Sequence, residues 1–294
     1  MPASRTLVAI SAVVIALLGC GSGTDHVAPG DALAVGLPGP GPASSANWTL
    51  GGVPCALIPV PAAAPLGTGT CPGVRPGAIV LTDVGQCTLN FLFQGSDGSR
   101  YIGTAGHCIL GTSPIGGDVG EMAWAPGTGP VARDAAGNPI GKFAYAILQD
   151  PKDFSLIRLD PLVGASAGMC HFGGPTAVND DRPGLTELVV LNWFGNGVEV
   201  GAVLPARSAV TAGMPSPDHV FAQGAAAPGD SGSGVISSDG RAVGMLVTVG
   251  VHTASVGSGG LDAGMIGMTR LTPQVERAQQ VLGVDLALQL APTQ

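Results

Sequence analysis

Charge is scarce in this sequence: Asp, Glu, Lys and Arg make up 11% of its 294 residues, and Lys142 and Lys152 are the sole lysines. Such economy suits a compact exported protein better than a highly solvated scaffold. The 12 cations are outnumbered by 20 acids, for a net charge of −8. The long-range field therefore repels phosphate backbones, and nucleic acid is not an expected partner. No apolar run reaches the length that spans a bilayer, about 20 residues in a helix. Metal-site spacing is missing as well, with no Cys-x-x-Cys and no His-x-x-x-His, so neither a metal nor a cofactor is expected. There is no internal repeat. What the chain has in abundance is turns. Its 48 glycines and 25 prolines are about a quarter of the residues, too many for a helix bundle and without the period of collagen. At 45% apolar content it can still build a core, and short strands joined by many turns fit that composition.

The first charge, Arg5, precedes an apolar run from Leu7 to Leu18. That run is too short to cross a membrane and reads as a secretory signal over residues 1–19. It ends in Leu17-Leu18-Gly19-Cys20, which resembles the lipobox of bacterial lipoproteins. The resemblance implies lipidation of Cys20 and an exported chain held at the outer face of the cell envelope by acyl chains, its one expected membrane contact. An ordinary cleavage site, with a secreted product, is the alternative. Residues 20–77 are rich in Gly, Pro and Ala, as in Leu37-Pro38-Gly39-Pro40, and read as a tether. Setting Cys20 aside leaves Cys55, Cys71, Cys87, Cys108 and Cys170, an odd number for an oxidising compartment.

Three stretches carry chemistry. Strand-like alternation from Cys87 to Phe93 turns through Gly95-Ser96-Asp97-Gly98, returns through Tyr101-Ile102-Gly103, and delivers Thr104-Ala105-Gly106-His107-Cys108. A histidine fixed at a strand end can act as a general base, although alone it is more often structural. Asp153-Phe154-Ser155-Leu156-Ile157-Arg158-Leu159 puts a carboxylate at the head of an apolar strand, where local backbone donors could equally satisfy it. Asp150 and Asp160 are its competitors. Pro228-Gly229-Asp230-Ser231-Gly232-Ser233-Gly234 is a turn whose glycines let N–H groups converge on a developing oxyanion beside a nucleophilic hydroxyl. Singly it is also readable as a plain turn.

Together these stretches resemble the chymotrypsin-like serine peptidases, in that family's order and spacing, and look most like the bacterial α-lytic or streptogrisin-type branch. The resemblance covers about residues 78–283. It implies an all-β fold of two perpendicular six-stranded antiparallel barrels, residues 78–165 and 166–271, with the site between them and a short helix and tail over 272–294. The helix would start at Thr272-Pro273 and stop at Gly283. By the resemblance His107 is the general base, Asp153 orients it, Ser231 is the nucleophile, and the N–H groups of Gly229 and Ser231 form the oxyanion hole. Cys87 and Cys108 would form the disulfide bracing the histidine segment.

Departures from the family pattern are informative. Ala227 and Pro228 stand where many members carry a cysteine. Ala225, at the expected base of the specificity pocket, cannot neutralise a buried cation, and Thr248, Val249 and Gly250 would line a pocket wall. No Ile-Val-Gly-Gly-like start is found, so pairing of a newly cut amino terminus with Asp230 is not expected; some bacterial members of the family pair that aspartate internally with an arginine, for which Arg133, Arg182 and Arg207 are the candidates here. The other histidines, His26, His171, His219 and His252, are expected in structural or surface roles.

The expected function is therefore a serine endopeptidase acting as a monomer on protein or peptide substrates, with small or apolar side chains before the cut. A non-enzymatic alternative keeps the fold as a surface binding module with a silent site. An α/β-hydrolase using Ser231, Asp239 and His252 is disfavoured because the serine is not in Gly-x-Ser-x-Gly.

Overall fold

The computed structural model describes residues 48–50, 53–55, 71–111, 119–197, 204–249 and 262–294. The expected signal segment with Cys20, most of the tether, and Gly250 lie outside these residues, as do the side chains of Thr248 and Val249. Two compact units divide the chain, Met1–Ile58 and Pro59–Gln294. In the first, β1 (Trp48–Leu50) and β2 (Val53–Cys55) form a hairpin with Trp48 opposite Cys55.

The second unit is mostly β, built as two barrel-like sheets. The first sheet contains β3 (Ile79–Leu81), β4 (Gln86–Thr88), β5 (Leu92–Gly95), β6 (Arg100–Thr104), β7 (Gly120–Ala123), β8 (Val131–Arg133), β9 (Pro139–Gln149) and β10 (Lys152–Leu159). A four-residue helix, α1 (His107–Leu110), follows β6. The second sheet is a closed barrel of β11 (Leu188–Phe194), β12 (Ala206–Ala212), β13 (His219–Ala226), β14 (Gly234–Ser237), β15 (Ala242–Val249) and β16 (Asp262–Arg270). After it come α2 (Leu271–Leu282) and β17 (Leu286–Leu288). Among the described residues every pairing between these strands is antiparallel, and the only parallel pairings are two isolated bridges, unlike the parallel sheet of an α/β-hydrolase.

Each sheet buries the residues its alternation marks. In β12, Arg207, Ala209 and Thr211 point inward while Ser208, Val210 and Ala212 face solvent. The barrel interior is filled by Leu191, Trp193, Val220, Val235, Leu246, Ile266 and Met268, and the first sheet closes over Phe91, Phe93, Phe143, Tyr145, Phe154 and Leu156. The expected continuous strand 87–93 is instead two strands, β4 and β5, separated at 89–91. Leu89, Asn90 and Phe91 are all fully buried, so alternation fails there, and the Asn90 side chain accepts the Phe91 N–H at 2.7 Å in competition with the ladder.

Helix α2 begins one residue before Thr272 and ends at Gly283, whose left-handed conformation lets its N–H reach the Gln279 carbonyl at 2.9 Å. Arg277 on its outer side makes two hydrogen bonds to the Glu121 carboxylate on β7, at 2.8 and 2.6 Å. The chain then returns to the first sheet, where β17 adds to the free side of β5. The following residues pin the connection between the sheets, with Ala291 N–H on Pro175 O at 2.9 Å and Gln294 N–H on Phe172 O at 3.0 Å. The disulfide Cys71–Cys170 fastens the start of the unit to that same connection.

Candidate active site

Strand β6 carries the chain to His107 through Ala105-Gly106. A Cβ on Gly106 would sit 1.9 Å from the Ile147 carbonyl oxygen, so only glycine allows the backbone to pass that close to β9. The turn is held further by Ser155 Oγ, which donates to Ala105 O at 2.9 Å, and by Thr104 Oγ1, which donates to Thr88 O at 2.8 Å. Asp153, near the head of β10, meets His107 at two points. Its Oδ1 accepts the backbone N–H at 2.9 Å, and its Oδ2 lies 2.7 Å from the ring Nδ1. A carboxylate only accepts, so the hydrogen of a neutral imidazole sits on Nδ1 and Nε2 is left as the basic atom. Both side chains are largely covered, at 16% and 12% exposed. Asp153 is therefore the acid that engages His107. Asp150 lies 3.9 Å from His219 instead, and Asp160 is exposed beyond the end of β10.

Cys87 and Cys108 form the expected disulfide next to the histidine. Their sulfur atoms and a His107 ring nitrogen lie within 4.8 Å of one another. The bond between the sulfurs leaves no thiolate to hold a metal there.

Ser231 lies in the turn between β13 and β14. Its neighbour Asp230 is fully buried and receives the N–H groups of Gly197 and Ala227, each at 2.7 Å, together with the guanidinium of Arg207. Of the three candidate arginines, Arg207 is thus the partner, and its guanidinium lies 5.8 Å from the Trp193 ring centroid. Arg133 instead donates to the Gly137 carbonyl, and Arg182 is exposed. Within the turn the N–H groups of Asp230, Gly232 and Ser233 are spent on Ala227 O, Leu246 O and Asp230 O, at 3.0, 2.7 and 2.9 Å. Those of Gly229 and Ser231 donate to no protein group among the described residues.

The Ser231 carbonyl accepts the Thr88 N–H at 2.9 Å and lies 3.9 Å from Cys108 Sγ, which brings the serine's main chain beside the histidine segment. The Ser231 hydroxyl makes no hydrogen bond among the described residues, to His107 or to any other group. Ala225 is half-buried on β13 and pairs with Ala263 on β16, while Thr248 and Val249 on β15 pair with Gly267 and Ile266 of the same strand. Cys170 is in a disulfide, and the adjacent His171 is partly buried, which lowers its pKa.

No protein-family model matches the chain, and none of the curated proteins does. Several solved structures of serine proteases are similar. A glutamic-acid-specific serine protease, described as using a histidine triad in substrate binding, superposes with a TM-score of 0.46 at 16% identity over 72% of this chain and 98% of its own. The Nocardiopsis protease gives 0.46 at 14% identity over 73% and 98%. The chymotrypsin of Cellulomonas bogoriensis gives 0.47 at 16% identity over 74% of this chain and 99% of its own.

Proposed function

We propose that the protein is a serine endopeptidase. Ser231 Oγ attacks the carbonyl carbon of a peptide bond while His107 Nε2 takes the hydroxyl proton. The carbonyl oxygen, now an oxyanion, is received by the N–H groups of Gly229 and Ser231. His107 then returns the proton to the departing amine, leaving an acyl group on Ser231, and water releases it by the same route in reverse. Asp153 holds the imidazole in the required tautomer and faces the charge that develops on it. The observation that carries this reading is the pairing of a two-point grip on His107 with the unspent amide donors of Gly229 and Ser231.

A half-buried alanine at position 225 offers nothing to a cationic side chain, so the reading favours small or apolar residues before the cut. The apolar run before Cys20 supports export with lipid attachment at that cysteine. The substrates are proteins or peptides met outside the cytoplasm, and the enzyme works as a monomer.

A fluorophosphonate probe tests the chemistry. Wild-type protein is expected to take the label at Ser231, and Ser231→Ala is expected to take none. Folded wild-type protein that stays unlabelled would refute the enzyme and leave a binding module. Acyl-chain incorporation that disappears in Cys20→Ala tests the anchor.

A further inference from the structure

Building on the assignment of Ser231 as nucleophile, we propose that Thr88 and Asn196 are positioning residues that keep the oxyanion donors convergent. Thr88 is the last residue of β4, in the first sheet, and is fully buried. Two of its polar groups nevertheless grip the nucleophile turn, on either side of Asp230. Its N–H donates to Ser231 O at 2.9 Å, and its Oγ1 donates to Gly229 O at 2.8 Å.

The direction of that hydroxyl is forced. The backbone N–H of Asn196 and its side-chain Nδ2 both donate to Thr88 Oγ1, at 3.2 and 3.1 Å. A threonine oxygen has two lone pairs and one hydrogen. With both lone pairs occupied by Asn196, the hydrogen is committed to the Gly229 carbonyl. Asn196 is itself fixed: its other Nδ2 hydrogen goes to Gly77 O at 2.7 Å, and its carbonyl accepts from Gln86 Nε2 at 2.9 Å. The next residue, Gly197, donates to Asp230. The segment 195–197 thus bears on the nucleophile turn both directly and through Thr88.

The grip matters because Gly229 sits at φ +101°, and a Cβ there would already lie 3.0 Å from Asn196 O. Glycine has the freedom to leave this conformation for several others. Fixing the Gly229 carbonyl fixes the peptide plane that follows it, and fixing Ser231 O fixes the plane after the serine. Both N–H donors lie between or beside these anchored planes. Releasing one anchor lets the donors drift off the single point they must share, and one well-placed donor is worth about a hundredfold or more in rate.

The test compares Thr88→Val, which keeps the shape and loses the hydroxyl, with Thr88→Ser, which restores it. The second-order rate of fluorophosphonate labelling is expected to fall about 10- to 100-fold in Thr88→Val and to recover to within about threefold of wild type in Thr88→Ser. The pH at which labelling is half-maximal should stay put in both, since the His107–Asp153 pair is untouched; a merely destabilised protein would lose labelling through unfolding, visible in its melting curve. If Thr88→Val fails to fold, Asn196→Ala replaces it, with labelling expected to be about 3- to 10-fold slower because the backbone N–H of residue 196 still holds the oxygen. Labelling at the wild-type rate in folded Thr88→Val or Asn196→Ala overturns the positioning role alone. Wild-type protein that takes no label overturns the nucleophile assignment and this role with it.

Discussion

Replacing Arg207 by methionine breaks the buried ion pair with Asp230, next to Ser231. The side chains are 7% and 0% exposed for Arg207 and Asp230, so solvent screens their attraction little. At an effective dielectric constant of about 20, two unit charges about 4 Å apart attract by about 4 kcal/mol. Removing one partner of a buried pair costs about 3–5 kcal/mol, because the other charge is left uncompensated. Two features pull toward the lower end. The Gly197 and Ala227 N–H groups stay on the Asp230 carboxylate, and the variant deletes the buried Nε and Nη1 of Arg207, which have no partner among the described residues. Methionine also keeps a polarizable contact with Trp193. A loss of about 3 kcal/mol moves the melting temperature of a unit this size down by about 6–12 °C. The double variant Arg207→Met/Asp230→Asn is the discriminating measurement. Asparagine removes the stranded charge and its oxygen can serve only one of the two N–H groups, so about half of the lost stability should return while labelling at Ser231 stays depressed. Calorimetric melting together with labelling rates reads both. A single variant that melts within about 2 °C of wild type, or a double variant less stable than the single, would show that burial of the pair does not set the energetics described here.

Asp153→Asn keeps the shape of the carboxylate but reverses the hydrogen-bonding demand on His107 Nδ1, favouring the tautomer with its hydrogen on Nε2; labelling and turnover should fall by about 10⁴-fold with the fold retained. A drop of less than about tenfold would show that the 2.7 Å contact is not an orienting one. The Arg277 guanidinium, ahead of the Tyr145 hydroxyl, holds the Glu121 carboxyl below its ordinary range against the opposing effect of burial. A depressed folded-state pKa gives stability that is present above the unfolded value near 4.5 and lost as pH falls through the folded one. Arg277→Met should therefore melt below wild type at pH 7, and the gap should narrow as pH falls below the unfolded value near 4.5; a gap that stays constant on acidification would contradict the assignment.

Much of the proposed site is legible in the sequence because its parts are local. His107 follows a hairpin strand, Asp153 sits near the head of an apolar one, and Ser231 lies among glycines whose spacing marks a turn. Partners chosen by register are not legible. Arg207 differs from Arg133 and Arg182 only in facing Trp193 across β11 and β12, within reach of Asp230, and no local pattern reports that. Thr88 reads as an ordinary strand residue until the turn at Gly229–Ser231 is laid against it, and Asn196 as part of a Gly-Asn-Gly turn. Pairing of Cys71 with Cys170, 99 residues apart, is beyond spacing arguments. Strand β17 is too short, at three residues, to announce itself by alternation.

That late strand has a bearing on how the first sheet is completed. Residues 286–288 zip onto Phe93, Gln94 and Gly95, so the outer flank of β5 is covered only by a segment almost two hundred residues further along the chain. Contacts so distant along the chain are made late and slowly. A chain that stopped short of β17 would keep every residue of the proposed site yet present an open sheet edge, a ready place for a strand of another molecule to attach.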